Sequence, residues 1–150
     1  MKTRTTITDI TKENLVDLLC TATYGSNWCE IFRNKEISGD VKAEENDCRE
    51  DLWAKVLLGG WSLYFADYYA EDKDEHYGDL PYEWDEGDKC MNYRFNLQDV
   101  KRGLAKAADS DSEFARKCFE SLREDESTDL DLTCAETLMQ YIIFGEPIYG

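Results

Sequence analysis

Proline is scarce in this chain, histidine nearly absent and positive charge in short supply: two prolines, one histidine and 17 lysines and arginines stand against 33 aspartates and glutamates. So little proline, with only nine glycines, excludes long disordered tracts and flexible linkers. The acid excess, a formal charge of −16, repels phosphate backbones and anionic membrane surfaces and so argues against direct nucleic-acid binding. No apolar run approaches the roughly 18 residues of a membrane span. The stretch Met1-Lys2-Thr3-Arg4-Thr5-Thr6-Ile7-Thr8-Asp9 holds neither the apolar core nor the cleavage pattern of a secretion signal. With a single histidine and no C-x-x-C or H-E-x-x-H pattern, zinc chemistry has no ligand set, and Gly59-Gly60 and Gly145 lack the spacing of a phosphate-cradling loop.

What is present suffices for a core. Over 150 residues the chain is 42% hydrophobic and 13% aromatic, enough for one domain, 1–150, that buries about two-thirds of its unfolded surface without metal or disulfide. Six cysteines (Cys20, Cys29, Cys48, Cys90, Cys118, Cys134) are scattered, and several fall at apolar positions of helical patterns. Without a secretion signal they read as reduced, mostly buried thiols of a cytoplasmic protein.

The periodicities predict an α+β fold. Threonine and isoleucine over Lys2–Thr8 suit a short edge strand. Thr11 caps a helix whose stripe Leu15, Leu18, Leu19, Ala22 ends at Gly25, with Ile10 stapled onto Leu15. Trp28–Phe32 suits helix or strand, and Ala43–Leu58 suits a helix with Leu52, Trp53 and Val56 inward. Trp61–Tyr69, Tyr82–Trp84 and Cys90–Phe95 are rich in aromatic and β-favouring residues and read as an antiparallel meander of two or three strands, with Trp53, Trp61, Tyr64 and Phe65 in the core. Asn96 caps a helix through Leu97, Val100, Leu104 and Ala107. Ser110 and Glu113 form a capping box for the next, with Phe114, Cys118, Phe119 and Leu122 inward. The last carries Leu132, Ala135, Leu138, Met139, Ile142 and Ile143, stopping at Gly145 before Pro147. The expected architecture is a small antiparallel sheet of two to four strands packed against four or five helices.

Charge is concentrated as well as plentiful. From Asp67 to Asp88 ten carboxylates accompany one lysine and five aromatic rings. Like charge at that density opposes compaction, which favours a compensating cationic partner. Glu124, Asp125, Glu126, Asp129 and Asp131 add a second acidic run, while Lys101, Arg102, Lys106, Arg116, Lys117 and Arg123 lie on predicted helices. Asp72, Asp74, His76 and Glu83 fall at positions 1, 3, 5 and 12 of a calcium loop, but Tyr77 occupies the position that needs glycine, and histidine is a poor fifth ligand. His76 itself reads as a solvated loop residue, with no nucleophile placed beside it. No cofactor or metal is expected. Tyrosine and tryptophan anchor interfaces, and acids on alternate strand positions make a charge row spaced about 6.8 Å apart, comparable in order with phosphates. The bland reading of the same run is an acidic, solubilising loop.

The segments Ile7–Cys29 and Leu132–Tyr141, the ending Phe144-Gly145-Glu146-Pro147-Ile148-Tyr149-Gly150, and the step from Phe95 to Leu104 together resemble small proteins encoded by phages and prophages of gut bacteria. The resemblance implies an accessory protein acting in a bacterial cytoplasm; it carries no catalytic residues and does not cover Glu71–Asp88. By analogy with small acidic phage inhibitors of host defence, the expected function is non-enzymatic. The protein would bind and block the basic surface of a host nucleic-acid-binding protein or nuclease, as anti-CRISPR or anti-restriction inhibitors and nucleic-acid mimics do. Its contact residues would be Asp72, Asp74, Glu75, Tyr77, Tyr82, Glu83, Trp84, Asp85 and Glu86. Two other readings stay open: a metal-dependent hydrolase or nucleotide-processing enzyme using a carboxylate cluster, and a self-associating accessory protein.

Overall fold

A computed structural model describes residues 6–7, 9–24, 26–123 and 130–150. Along the chain run α1 (Lys12–Thr23), β1 (Cys29–Phe32), the single turn α2 (Lys35–Ser38), α3 (Arg49–Leu58), β2 (Leu63–Asp67), β3 (Tyr82–Asp85), β4 (Cys90–Phe95), α4 (Leu97–Ala108), α5 (Glu113–Arg123) and α6 (Leu132–Phe144). The fold is α+β, as the periodicities predict. The strand expected over Lys2–Thr8 falls mostly outside the described residues, and Thr6 and Ile7 belong to no element; the stop at Gly25 also lies outside them.

The sheet has four strands in the order β1-β2-β4-β3, every neighbouring pair antiparallel. It is therefore not a sequential meander: β4 inserts between β2 and β3, which run parallel to each other on either side of it. Trp28–Phe32 resolves as an edge strand, paired through Cys29↔Asp67 and Phe32↔Tyr64.

Side-chain alternation sorts the sheet into two faces. Cys29, Ile31, Leu63, Phe65, Met91, Tyr93 and Phe95 point toward the helices and join a single hydrophobic cluster with Leu15, Leu19, Val56, Leu104, Leu138 and Ile142. The opposite face carries Glu30, Phe32, Tyr64, Ala66, Glu83, Asp85, Cys90, Asn92 and Arg94. Ala66 and Cys90 are buried, yet stand outside that cluster. Among the described residues the helical layer lies on one face and leaves the other open.

α6 occupies the middle of that layer, against α1, α4 and α5. Nine of its 13 residues are buried, which explains why its apolar residues extend all round rather than along a stripe. Leu132 is the exception, exposed in the first turn. α4 and α6 approach most closely at Gly103, where a Cβ would collide with the Ile142 backbone.

Local signals fix several boundaries. The Thr11 hydroxyl accepts from the Asn14 amide (3.1 Å) at the start of α1. At α4 the Asn96 and Asp99 side chains exchange bonds with each other's backbone amides, at 3.1 and 2.9 Å. α3 begins at Arg49 rather than Ala43, because the Asp51 carboxylate accepts from the Cys48 amide (3.0 Å) and sets the first turn there. α5 is capped by Ser112, whose Oγ accepts from the Ala115 amide (3.2 Å), while Ser110 Oγ serves the Ser112 amide instead. Phe114, Trp61 and Tyr64 are not core residues: the first two are nearly half exposed, Trp61 lying across Gly39, and Tyr64 is half-buried on the open face of the sheet. Leu52 is half-buried, with Ala54 and Leu57 taking the inward positions of α3. All six cysteines are free thiols, four of them buried.

Gly103→Ala should lower stability by about 1–3 kcal/mol despite alanine's better helix propensity, since the two backbones must move apart. Urea unfolding checks this against Gln98→Ala on the exposed side of the same helix, which should stay within about 0.5 kcal/mol.

Candidate functional site

The run from Asp67 to Asp88 divides into a loop held against the core and a strand with its hairpin turn, and the divide follows from where its apolar residues must go. Ala70 and Leu80 are buried. Tyr77 packs edge-on against Phe144, with ring centroids 5.7 Å apart, and its amide donates to the Tyr93 hydroxyl (3.0 Å). Gly78 has φ +77° and lies where a Cβ would stand 2.7 Å from the Phe144 carbonyl oxygen, so both backbone conformation and close approach require glycine.

Asp67 anchors this loop. Fully buried at the end of β2, its Oδ1 accepts from the Tyr69 amide (2.9 Å) and its Oδ2 from the Tyr149 hydroxyl (2.7 Å). Burial pushes the Asp67 carboxyl above the ordinary value, against these hydrogen bonds, which favour its ionised form. Burial likewise raises the Tyr149 phenol, helped by its bond to Asp67, and pushes the Tyr93 phenol up to about 12. Gln140, buried in α6, clamps the tail that carries Tyr149. Its Oε1 accepts from the Ile148 and Tyr149 amides (2.7 and 2.8 Å), and its Nε2 donates to the Tyr149 carbonyl (3.1 Å). Rings of Trp28, Tyr69, Tyr77 and Phe144 surround Tyr149, with centroids 5.2–6.1 Å away.

Several loop acids serve the loop itself. Asp72 Oδ1 accepts from the Asp74 amide (2.9 Å); Glu75 accepts from the Glu71 amide (2.6 Å) and the Tyr77 hydroxyl (3.0 Å). Asp74 is exposed. His76 is also exposed and stacks on Tyr82, centroids 3.8 Å apart, tying the loop to β3. Among the described residues no three carboxylate, imidazole or thiol groups converge as a metal site; the calcium-loop positions are spread over loop and strand, with Asp72 turned onto its own backbone.

β3 carries the remaining acids. Its alternation sends Tyr82 and Trp84 toward the helix side, opposite Tyr93 and Met91, and Glu83 and Asp85 to the open face, opposite Asn92 and Cys90. Trp84 is therefore half-buried against the core, with its Nε1 donating to Glu86 (2.6 Å). Asp85 Oδ1 accepts from the Gly87 and Asp88 amides (2.9 and 3.0 Å), shaping the hairpin turn, and Lys89 pairs with Glu86 at 3.1 Å.

The register builds the open face row by row. Glu30, Ala66, Asn92 and Glu83 lie side by side across the four strands; Phe32, Tyr64 and Arg94 form the next row. Phe32 and Tyr64 stack at 5.3 Å, and the Tyr68 hydroxyl donates to Glu30 (2.8 Å). A shallow groove of about 490 Å³ runs over this face between Phe32, Asn34, Tyr64, Asn92 and the acids Glu83, Asp85 and Glu86. Of the nine residues proposed from sequence, the groove gathers Glu83, Asp85 and Glu86, while Trp84 lines it from β3 with its ring turned to the helix side. Asp72, Asp74, Glu75 and Tyr77 belong to the core-anchored loop, and Tyr82, 47% exposed, joins the two under His76. Glu30 and Phe32, far from the acidic run in sequence, and Tyr64, which the sequence reading placed in the core, complete the face. Their signal was register, which only the fold supplies.

No family model, curated protein or solved structure matches the chain. No helix among the described residues is long and apolar enough to cross a membrane.

Asp67 gives a testable pH dependence. Its native pKa lies above the unfolded value, so the folded state holds the proton more tightly, and stability falls as pH rises from the ordinary carboxylate range through the native pKa. Asp67→Asn should remove that slope, measured by urea unfolding between about pH 4 and 8; parallel pH profiles for the two proteins would contradict it. Asp67→Ala, which orphans the Tyr149 hydroxyl and the Tyr69 amide, should cost about 1–3 kcal/mol.

Proposed function

We propose that the protein is a non-enzymatic binder that presents its open sheet face to the basic surface of a nucleic-acid-binding host protein and blocks it, as an anti-defence inhibitor of the anti-CRISPR or anti-restriction type would. The observation that carries this reading is the uncovered sheet face, on which Glu83 and Asp85 project from alternate positions of β3, Glu86 follows at the turn and Glu30 stands three strands away. Sheet spacings put Glu83 and Asp85 about 6.8 Å apart along the strand, and Glu30 about 14 Å away across it. Such a lattice suits guanidinium and ammonium groups that otherwise contact phosphates. The stacked Phe32–Tyr64 pair offers apolar area beside the charge, and interfaces draw most of their energy from such anchors.

A rigid scaffold favours the same use. Glu83 and Asp85 lie on a strand whose neighbour, β4, is buried on its core side, so presenting them to a partner needs little ordering of the backbone. A net charge of −16 steers encounter with a cationic surface and makes association fast at low salt.

The test is affinity capture from a bacterial lysate at about 0.05 and 0.5 M salt, followed by competition between this protein and DNA or RNA for each captured partner. A partner whose nucleic-acid binding is blocked is expected, with the block lost on high salt. Glu83→Lys combined with Asp85→Lys should weaken the block by more than about tenfold. Asp72→Lys combined with Asp74→Lys should change it less, because those residues belong to the loop. A block indifferent to salt and to both pairs of substitutions would sink the reading.

A further inference from the structure

Among the described residues β1 forms one edge of the sheet, and its side turned away from β2 borders a groove with a charge opposite to that of the rest of the molecule. The hydrogen-bond parity is set by the Tyr68 amide, which donates to the Trp28 carbonyl (2.8 Å). In the register Cys29↔Asp67 and Glu30↔Ala66, Glu30 and Phe32 therefore bond to β2, and the N–H and C=O of Cys29 and Ile31 face away from it. Two clefts, of about 590 and 190 Å³, adjoin this edge and share Glu30, Ile31, Arg49 and Trp53, forming one channel between β1 and the start of α3. α3 packs chiefly on α1, which leaves the channel open. Trp53 is buried in its wall under the Arg49 guanidinium, 5.0 Å from the ring centroid.

Arg33, Lys35, Lys42 and Arg49 line this channel against only two acids, Glu30 and Asp40. In a chain with 17 basic and 33 acidic residues that is an inversion. Glu30 is already engaged by the Tyr68 hydroxyl, Arg33 is fixed by its bond to the Val41 carbonyl (2.9 Å), and Arg49 is paired with Glu50 (2.9 Å), which leaves Lys35 and Lys42 to carry the channel's positive charge. Lys35 and Lys42 are exposed and form no ion pair with another described residue.

The geometry points to a second docking site, independent of the acidic face: the β1 edge takes an extended acidic segment of a partner protein as a fifth strand. Main-chain bonds to the Ile31 N–H and C=O would hold the segment, and its carboxylates would meet Lys35 and Lys42, with Arg33 beside them. An edge supplies donors and acceptors in alternation, which match a peptide backbone; a nucleic-acid backbone offers acceptors and anions alone. A second copy is disfavoured, since pairing β1 with itself brings the same cations together between two molecules of charge −16 each. At about 3.3 Å per residue β1 spans roughly four residues of such a segment.

The probe is a pool of short peptides alternating Asp or Glu with Val, Ile, Thr or Tyr. A pool with lysine at the charged positions and a pool with proline at every other position serve as controls. Fluorescence anisotropy should show the acidic pool binding at least about tenfold more tightly than either control, and amide exchange at Ile31 should slow on binding. Lys42→Glu combined with Lys35→Glu should abolish the preference while circular dichroism shows the fold unchanged; Lys101→Glu, on α4, should leave it intact. Equal binding of the acidic and lysine pools, acidic-pool binding that leaves Ile31 exchange unaltered, or no binding would overturn the inference. So would self-association that protects Ile31 without peptide.

Discussion

The hydrogen bond between the buried Asp67 carboxylate and the Tyr149 hydroxyl, 2.7 Å long, is the constraint on which the arrangement of this molecule rests. Tyr149 lies 82 residues further along the chain, so the bond joins the end of β2 to the tail beyond α6 across the helix–sheet boundary. A carboxylate with no exposed surface is tolerable only because each oxygen has a donor. Those donors come from the loop backbone at Tyr69 and from a tail that Gln140 holds in place. The loop that follows is accordingly drawn onto the core through Ala70, Tyr77 and Leu80, though six of the residues from Glu71 to Asp79 are acidic or basic.

Charge and alternation then divide the labour. The loop consumes part of its own acidity: Asp72 and Glu75 satisfy loop amides, and Asp85 does the same for the hairpin turn. Glu83 is left on a rigid strand, and Glu30 reaches the same face from the opposite edge. An acidic composition thus becomes a patterned surface only where secondary structure holds the carboxylates apart.

Much of the fold was legible in the sequence because its signals are local. The Thr11 and Asn96 caps, the Leu15–Ala22 stripe and the aromatic runs at Trp61–Tyr69 and Cys90–Phe95 each specify an element from within a few residues. The failures share a cause: they depended on partners distant in sequence. Strand order could not be read from three runs that pair equally well as a meander, and Trp61 reads as core although its place beside Gly39 leaves it nearly half exposed. Ser110 and Glu113 match a capping box, but Ser112 lies closer to the first turn and takes the role. For the site, the acidic run flagged Glu83, Trp84, Asp85 and Glu86, whereas Phe32, Tyr64 and Glu30 emerge only from cross-strand register. Gln140 left a faint mark, an amide within the apolar stretch Leu138–Phe144.

The insertion of β4 between β2 and β3 has a temporal side. During synthesis β2 can pair with β1 as soon as both have left the ribosome, but β3 emerges without a neighbour, since its only partner is the strand that follows it. Until residue 95 is free, the nascent chain carries an unpaired β2 flank rich in aromatics, the kind of edge that recruits foreign strands. The dense carboxylates between Glu71 and Asp88 are translated within that interval, and like charge at that density opposes the approach of another unfinished copy.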